Sequence, residues 1–338
     1  MITKYMQKGA AITALRQGGW VELGHWGRMA AVETVEEVPA SAMLLMPAIP
    51  PHAEEGRRIA NSHILASPSQ PLSLISLRQF PETVPPFEFV DPSESDRKIL
   101  SAAVALLKAS ALLPVALIER GSHLPATLSL PEAVVDNLIE SGPGVWREVT
   151  RAPIPLPQGM ANMVAFRPAD GGLEQILLIF GNPRPEGAPL VRLHSQCFTG
   201  DVLHSQRCDC GEQLEGALER LAQEKEGGIL IYLTQEGRGI GLTNKLRAYR
   251  LQDQGLDTLD ANLRLGFGAD EREYAAAAAL LKAMGFMRIT LLSNNPAKAE
   301  ALRAQGIEVV GMARHAFPAN RHNRSYLATK AKRFGHLF

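Results

Sequence analysis

GILIYLTQEGRGIGLTNKLRAYRLQDQG, residues 228–255, changes character twice. GILIYL (228–233) is a short unbroken apolar run and reads as a buried strand. QEGRGIGL (235–242) is a glycine-rich turn, and 242–254 reads as a helix. Strand, turn and helix in that order form the unit of a layered α/β domain, and the alternation repeats downstream. Residues 271–284 read as a helix stopped by Gly285, RITLLS (288–293) as a strand, 296–305 as a helix and IEVVG (307–311) as a strand. In such sheets ligands gather at the loops that follow the strands.

Upstream the pattern is again mixed α/β. AAITALRQGG (10–19) has helical spacing and a glycine stop, while WVEL (20–23) and MAAVETV (29–35) read as a strand pair. The proline-rich stretch 80–92 reads as loop, and DPSESDRK leads into a helix over 98–111. Ser129 as cap, Pro131 in the first turn and Glu132 beside it announce another helix, stopped by SGPG at 141–144. APIPLPQG (152–159) reads as the entry to a second domain. The expected architecture is a mixed layered α/β domain over 148–338, preceded by a smaller α/β accessory domain over 1–147.

At 338 residues the chain has room for two ordinary domains or one large one, and its 46% hydrophobic and 21% charged residues suit a soluble globular protein. Thirty-five Lys and Arg balance thirty-five Asp and Glu, which argues against a protein that coats nucleic acid. Any polyanion must be held by a local cluster of positive charge. The opening MITKYMQKGAAITALRQGG lacks the apolar core of a signal peptide, and no run reaches the roughly 18 apolar residues of a membrane span. The expectation is a cytoplasmic protein without membrane attachment.

Cys197, Cys208 and Cys210 lie within fourteen residues of an otherwise cysteine-free chain. An odd count in this setting points to a metal site rather than a disulfide framework, with small buried core cysteines as the plain alternative. RLHSQCFTGDVLHSQRCDCG (192–211) offers no fourth cysteine. Either a histidine completes the site, His194 being the obvious candidate, or one position stays open to water. An open position is the catalytic arrangement, because zinc makes water a usable nucleophile near neutral pH.

QEGRGIGL can bring backbone N–H groups to a phosphate, with Arg238 supplying charge. A dinucleotide fingerprint fails on register, since the third glycine would fall at Asn244, and the GK[ST] ending of a Walker loop is missing. In LGFGADERE (265–273), Asp270 is either a helix cap or a carboxylate working with Arg272, taking a proton while the guanidinium faces a phosphate. LLSNNPAKAE (291–300) is a strand-to-helix turn suited to bringing a hydroxyl and a lysine to a nucleotide.

In this order the four segments resemble the GTP cyclohydrolase II family. The pattern HSxC, TGD, RCDCG, QEGRGIGL, AYxLQDQGxDT, LGFxxDxR and NNPxK is highly specific, and the likeness covers roughly 148–338, including the ending PANRHNRSYLATKAKRFGHLF. The resemblance implies that Cys197, Cys208 and Cys210 hold one zinc ion, and that water activated there attacks C8 of guanine. A second hydrolysis then releases that carbon as formate. It also implies Arg272 as the nucleophile toward the α-phosphate of GTP, expelling pyrophosphate, with Asp270 as proton acceptor and Tyr249 as the tyrosine of ring opening. Arg192, Leu193, His194, Ser195, Gln196, Gln213, Glu236, Gly237, Arg238, Thr258, Ser293 and Lys298 fall on GTP-binding positions. His194 is then a substrate-shell residue and leaves the metal position free. Mg²⁺ would accompany the triphosphate. The implied product is 2,5-diamino-6-(ribosylamino)pyrimidinone 5'-phosphate, the riboflavin precursor, and the implied assembly a homodimer.

The chain departs from the family pattern in four places. Gln196 stands where the family has glutamate, Ser293 where it has threonine, Ala297 at the first lysine of NNPKK, and MAR (312–314) in place of RVP. Gln196 removes a negative charge beside the thiolates, which bears on rate and base preference rather than on reaction class. A zinc nucleobase deaminase would need H-x-E with P-C-x-x-C, where this chain has H-S-Q and C-D-C. An inactive paralogue serving as a nucleotide-binding regulator is the non-enzymatic rival. Six Lys and Arg without Asp or Glu in the last thirty residues read as a subunit contact or phosphate neighbourhood. The opening AITALRQGGWVELGHWGRMAAVETVEE resembles a dihydroxybutanone phosphate synthase domain, but GHWGR replaces its acidic loop. Glu22, Glu33, Glu36 and Glu37 are the nearest carboxylates, with Glu33 expected in a strand. The accessory domain is therefore read as degenerate or unrelated, without synthase activity.

Overall fold

Two sheets organise the chain in the computed structural model, which describes residues 2–48, 63–121, 124–136, 138 and 144–318. Each belongs to its own compact unit. The first unit takes its described residues from Met1–Ser141 and Ile240–Glu271, the second from Gly142–Gly239 and Arg272–Phe338.

Among the described residues the first sheet has seven strands: β1 (Val21–Leu23), β2 (Gly27–Ala31), β3 (Met43–Pro47), β4 (His63–Pro68), β5 (Phe87–Val90), β6 (Ala116–Arg120) and β7 (Leu128–Leu130). Their order is β5-β4-β3-β6-β2-β1-β7, antiparallel except for the parallel β1–β7 pair. The strands are apolar on both sides. In MLLMP of β3, Leu45 enters one core while Leu44 and Met46 enter the other. Helices Ile2–Arg16 and Glu94–Ala109 cover the first side through Ala11, Leu15, Leu100, Ala103 and Leu107. The second side is covered in part by Leu77 and Phe80 and in part by chain from far downstream. Helices Leu242–Asp253 and Thr258–Arg264 and their flanks bury Ile240, Ala248, Leu251, Ala261, Leu265 and Phe267 against Ala30, Leu44, Met46, Ile64 and Leu117. The compact units therefore do not follow a line at 147/148, because the apolar side of 240–271 finds its complement on the first sheet.

The second sheet, again among the described residues, holds β8 (Trp146–Leu156), β9 (Gly159–Pro168), β10 (Gln175–Phe180), β11 (Leu190–Ser195), β12 (Gly228–Leu233), β13 (Arg288–Leu292) and β14 (Glu308–Ala313), in the order β14-β13-β11-β12-β10-β9-β8. β12, β11, β13 and β14 run parallel, and β10, β9 and β8 extend the sheet antiparallel. Helix Cys210–Gln223 packs Ala217 and Leu221 on one face. Helices Ala275–Ala283 and Pro296–Ala304 pack Ala277, Leu280, Leu281 and Leu302 on the other. From β11 the chain steps to β12 on one side, and from β13 to β14 on the other. The carboxyl ends of β11 and β13 thus flank a topological switch point, the place where open α/β sheets bind ligands.

The α/β class and most elements after 228 follow the expectation, with some differences. APIPLPQG is mostly strand: Pro153 and Pro155 sit in β8, which among the described residues pairs only with β9, and an outer edge tolerates the missing N–H groups. The expected loop 80–92 contains β5, another edge strand. Helix Glu94–Ala109 starts before 98 because Ser93 and Asp96 form a capping box. Ser129 lies in β7 and caps nothing; Pro131 occupies the N-cap of Glu132–Val135. The stop at 141–144 falls mostly outside the described residues, as does the C-terminal basic segment from residue 319 onward. Glu33 lies in the turn after β2, not in a strand. The helix expected from 271 begins at Ala275 with Tyr274 at its N-cap, so Asp270 does not cap it. Among the described residues no helix is long and apolar enough to cross a membrane.

Candidate active site in the second unit

The three cysteines converge around a glycine. Their sulfur atoms all lie within 4.8 Å of one another, with Cys197 and Cys208 3.6 Å apart, too far for a disulfide. A Cβ on Gly200 would stand 2.8 Å from Cys210 Cβ, 2.9 Å from Cys208 Sγ and 3.0 Å from Cys197 Sγ, so only glycine leaves that space. Hydrogen bonding to Cys197, with burial, pushes the Cys208 thiol up to about 11, and the same causes push Cys210 well above its ordinary range. Three thiols this close keep their protons unless a cation draws them off, which is the donor chemistry of a metal site. Among the described residues no other group of three potential ligands forms, and His194 is not part of this one.

β11 delivers the next residues. Arg192 and His194 alternate with Val191 and Leu193, so they share the face covered by helix Cys210–Gln223. Arg192 donates to the Leu292 carbonyl at 3.0 Å and to Gln213 Oε1 at 2.5 Å, and Gln213 in turn donates to Asp209. Burial lowers the Arg192 guanidinium to about 10, so it stays charged at neutral pH. His194 Nε2 lies 3.0 and 3.1 Å from the two carboxylate oxygens of Asp201, and its ring stacks on Tyr232 at 5.6 Å. Asp201 also accepts the Cys197 N–H at 2.9 Å and the Tyr232 hydroxyl at 2.8 Å. Burial lowers the His194 pKa despite Asp201, leaving a neutral ring whose Nε2 carries the proton. Among the described residues, Arg192 Nε, His194 Nδ1 and Ser195 Oγ are buried without a hydrogen-bond partner. Orphaned polar atoms on consecutive and alternate positions of one strand end mark a place that a ligand completes.

The other motifs lock onto this strand end. Glu236 Oε2 accepts the Phe198 N–H at 2.6 Å and Oε1 accepts the Gly237 N–H at 2.9 Å, tying the glycine turn to the cysteine loop. Gly237 and Arg238 are both left-handed, with φ of +64° and +63°. Gln196 continues from β11, its N–H donating to the Leu233 carbonyl at 2.8 Å. Ser293 Oγ accepts the Asn295 N–H at 3.1 Å, and Asn295 caps Pro296–Ala304. Buried Lys298 donates to the Leu193 carbonyl at 2.8 Å, and its Nζ stands 5.7 Å from the Tyr274 ring. Arg272 stands over the same ring at 5.8 Å, which brings Arg272 and Lys298 to one aromatic.

Tyr249, Thr258 and Asp270 belong to the first unit. Tyr249 sits on Leu242–Asp253 with Lys245 Nζ 5.8 Å from its ring, Thr258 opens the helix capped by Asp257, and Asp270 is exposed. Sequence reasoning passed over Gly200, Asp201, Asp209 and Tyr232. The first two stand in the TGD triplet, whose presence inside the cysteine segment was the available signal.

The family model for GTP cyclohydrolase II matches residues 147–314. A protein of Azospirillum brasilense named GTP cyclohydrolase-2 is 47% identical over 250 residues, covering 70% of this chain and 64% of its own. That share exceeds what 148–338 can supply, so the match reaches into the N-terminal region. A GTP cyclohydrolase-2 of Pseudomonas aeruginosa LESB58 is 50% identical over 190 residues, covering 56% of this chain and 92% of its own. Among solved structures, a two-domain 3,4-dihydroxy-2-butanone 4-phosphate synthase from A. baumannii aligns over 92% of this chain and 100% of its own, with 13% identity and a TM-score of 0.34. With half of all residues shared over 92% of a relative's length, the chain belongs to the GTP cyclohydrolase II family of hydrolases.

Proposed function

We propose that the protein hydrolyses GTP, opening the imidazole ring of guanine and releasing formate and pyrophosphate to give 2,5-diamino-6-(ribosylamino)pyrimidinone 5'-phosphate. One observation carries the reading: three crowded thiols around Gly200 lie next in the chain to a strand end with three orphaned buried polar atoms. The thiol set fits zinc, and Cys197, Cys208 and Cys210 would hold it. Zinc bound there supplies Lewis-acid activation of water near neutral pH.

The remaining chemistry falls to the chain's own side chains. Arg192, charged and buried, offers a fixed cation to an anionic ligand; Arg238 adds to it from the glycine turn and Lys298 from the first turn of helix Pro296–Ala304. Neutral His194 presents Nδ1 as an acceptor, oriented by Asp201. Arg272 attacks the α-phosphate, breaking its bond to pyrophosphate while Asp270 takes the proton, and water later cleaves the Arg272–phosphorus bond to free the 5'-phosphate; Tyr249 serves ring opening. Mg²⁺ accompanies the triphosphate. The reading includes a homodimer in the cytoplasm and a place in riboflavin biosynthesis.

Incubation with GTP, followed by mass spectrometry of the product and zinc quantification on the same sample, tests it. Formate, pyrophosphate and the pyrimidinone with about one zinc per chain are expected. Turnover by a zinc-free preparation would refute the metal assignment.

A further inference from the structure

Residues 240–271 carry three of the residues assigned to the reaction, yet they complete the core of the N-terminal unit. Polar contacts reinforce that core at three points. Asn244 Nδ2 donates to the Ala111 carbonyl at 3.1 Å, Arg247 pairs with Glu33 at 3.3 Å, and Lys108 Nζ meets Glu271 Oε1 at 2.6 Å. The last contact is placed to matter most. Glu271 lies between Asp270 and Arg272, at the residue where the chain leaves the first unit. Its Oε1 also accepts the Gly268 N–H at 2.5 Å, so one carboxylate closes the turn before the motif and anchors it to the helix Glu94–Ala109. Lys108 sits in the last turn of that helix, where the macrodipole favours a cation, and stands 6.0 Å from the Phe267 ring. Both side chains are 23% exposed, so the pair is half-shielded from water and salt.

We infer that Lys108 of the N-terminal region is a positioning residue for the Asp270–Arg272 pair, acting through Glu271. This rests on the functional reading above, because it takes the roles of Asp270 and Arg272 from it. An exposed ion pair contributes little to stability. A clamp on the peptide between two reacting residues is different, since misplacing such a group by about 1 Å costs up to ~100-fold in rate. Lys108 then belongs to the enzyme's working geometry without itself touching substrate.

The test uses full-length, zinc-loaded protein and the variants Lys108→Met, Lys108→Arg and the charge exchange Lys108→Glu with Glu271→Lys. Pyrophosphate and formate release are timed separately at saturating GTP, alongside zinc content, thermal midpoint and amide exchange over 268–273. Lys108→Met should lower the pyrophosphate-release rate by roughly 10- to 100-fold. It should also speed exchange over 268–273, with KM, zinc and thermal midpoint close to wild type. Lys108→Arg should keep most of the rate and the charge exchange should restore part of it. A Lys108→Met protein with wild-type pyrophosphate release, or one whose loss tracks its thermal midpoint or zinc content, overturns the positioning role while leaving the functional reading intact. A wild-type protein inert toward GTP overturns both.

Discussion

Gly200 sets the strictest demand on sequence in the candidate site. A methyl group there would press on all three cysteine side chains at 3.0 Å or less. Gly200→Ala should therefore cost most of the bound zinc while far-ultraviolet circular dichroism stays unchanged, and full zinc occupancy in that variant would contradict the cradle. Three cysteines clustered in an otherwise cysteine-free chain made the candidate metal site legible. Spacing left His194 open as a ligand, and only the folded chain shows its ring committed to Asp201. The TGD triplet flagged Gly200 without its reason, since a missing Cβ matters only once its neighbours are known. Arg272 and Tyr249 are separable by chemistry. Arg272→Ala should abolish pyrophosphate release, whereas Tyr249→Phe should spare part of it and block formate release. Equal loss of both products in both variants would show that the roles are not distinct.

At the scale of elements, β4 hides a titratable group. His63 is fully buried, with Nε2 2.9 Å from the Pro114 carbonyl. Burial first, then the charge of Lys108, lowers its pKa from 6.5 to about 3, the Pro114 bond opposing. The folded form thus refuses a proton that the unfolded chain accepts. Its contribution to stability is intact above 6.5 and is lost as pH falls toward 3, at about 1.4 kcal/mol per pH unit. Burial also lowers His315 to about 4, adding to the slope in part of the same window. Urea midpoints from pH 7.5 to 5 should fall accordingly in wild type and fall less in His63→Gln; identical slopes would remove His63 from the account. Elements with a clean period or a clear cap were readable, as with GILIYL and the helix after it. β8 was not, because prolines that an edge strand tolerates look like a linker when the edge is unknown. The start of Glu94–Ala109 was missed through a capping box hidden in DPSESDRK.

At the scale of the whole molecule, the apolar side of 240–271 depends on the first sheet. Ile240, Ala248, Leu251, Ala261, Leu265 and Phe267 are all nearly or fully buried there. At about 1.5 kcal/mol or more for a fully buried large side chain, this face matches a good part of a domain's net stability. A fragment starting at 142 should unfold at a lower temperature and self-associate by light scattering, while its thiols still bind zinc. A monodisperse fragment as stable as the full chain would show that the face needs no partner. No reading of local pattern could have found this dependence, since the sequence does not state which sheet the two helices cover.

The same arrangement sets a clock on synthesis. The last strand of the inner sheet order, β6, ends at Arg120, but the side chains that cover its Leu117 end with Phe267. A ribosome adding about 5–20 residues per second leaves that side of the sheet only partly covered, by residues such as Leu77 and Phe80, for roughly 7–30 s. Throughout that interval Leu44, Met46, Ile64 and Leu117 lack the apolar cover that 240–267 later provides. The N-terminal region is made first yet finished late, and its folding in the cell is timed by the arrival of the segment that bears Tyr249 and Asp270.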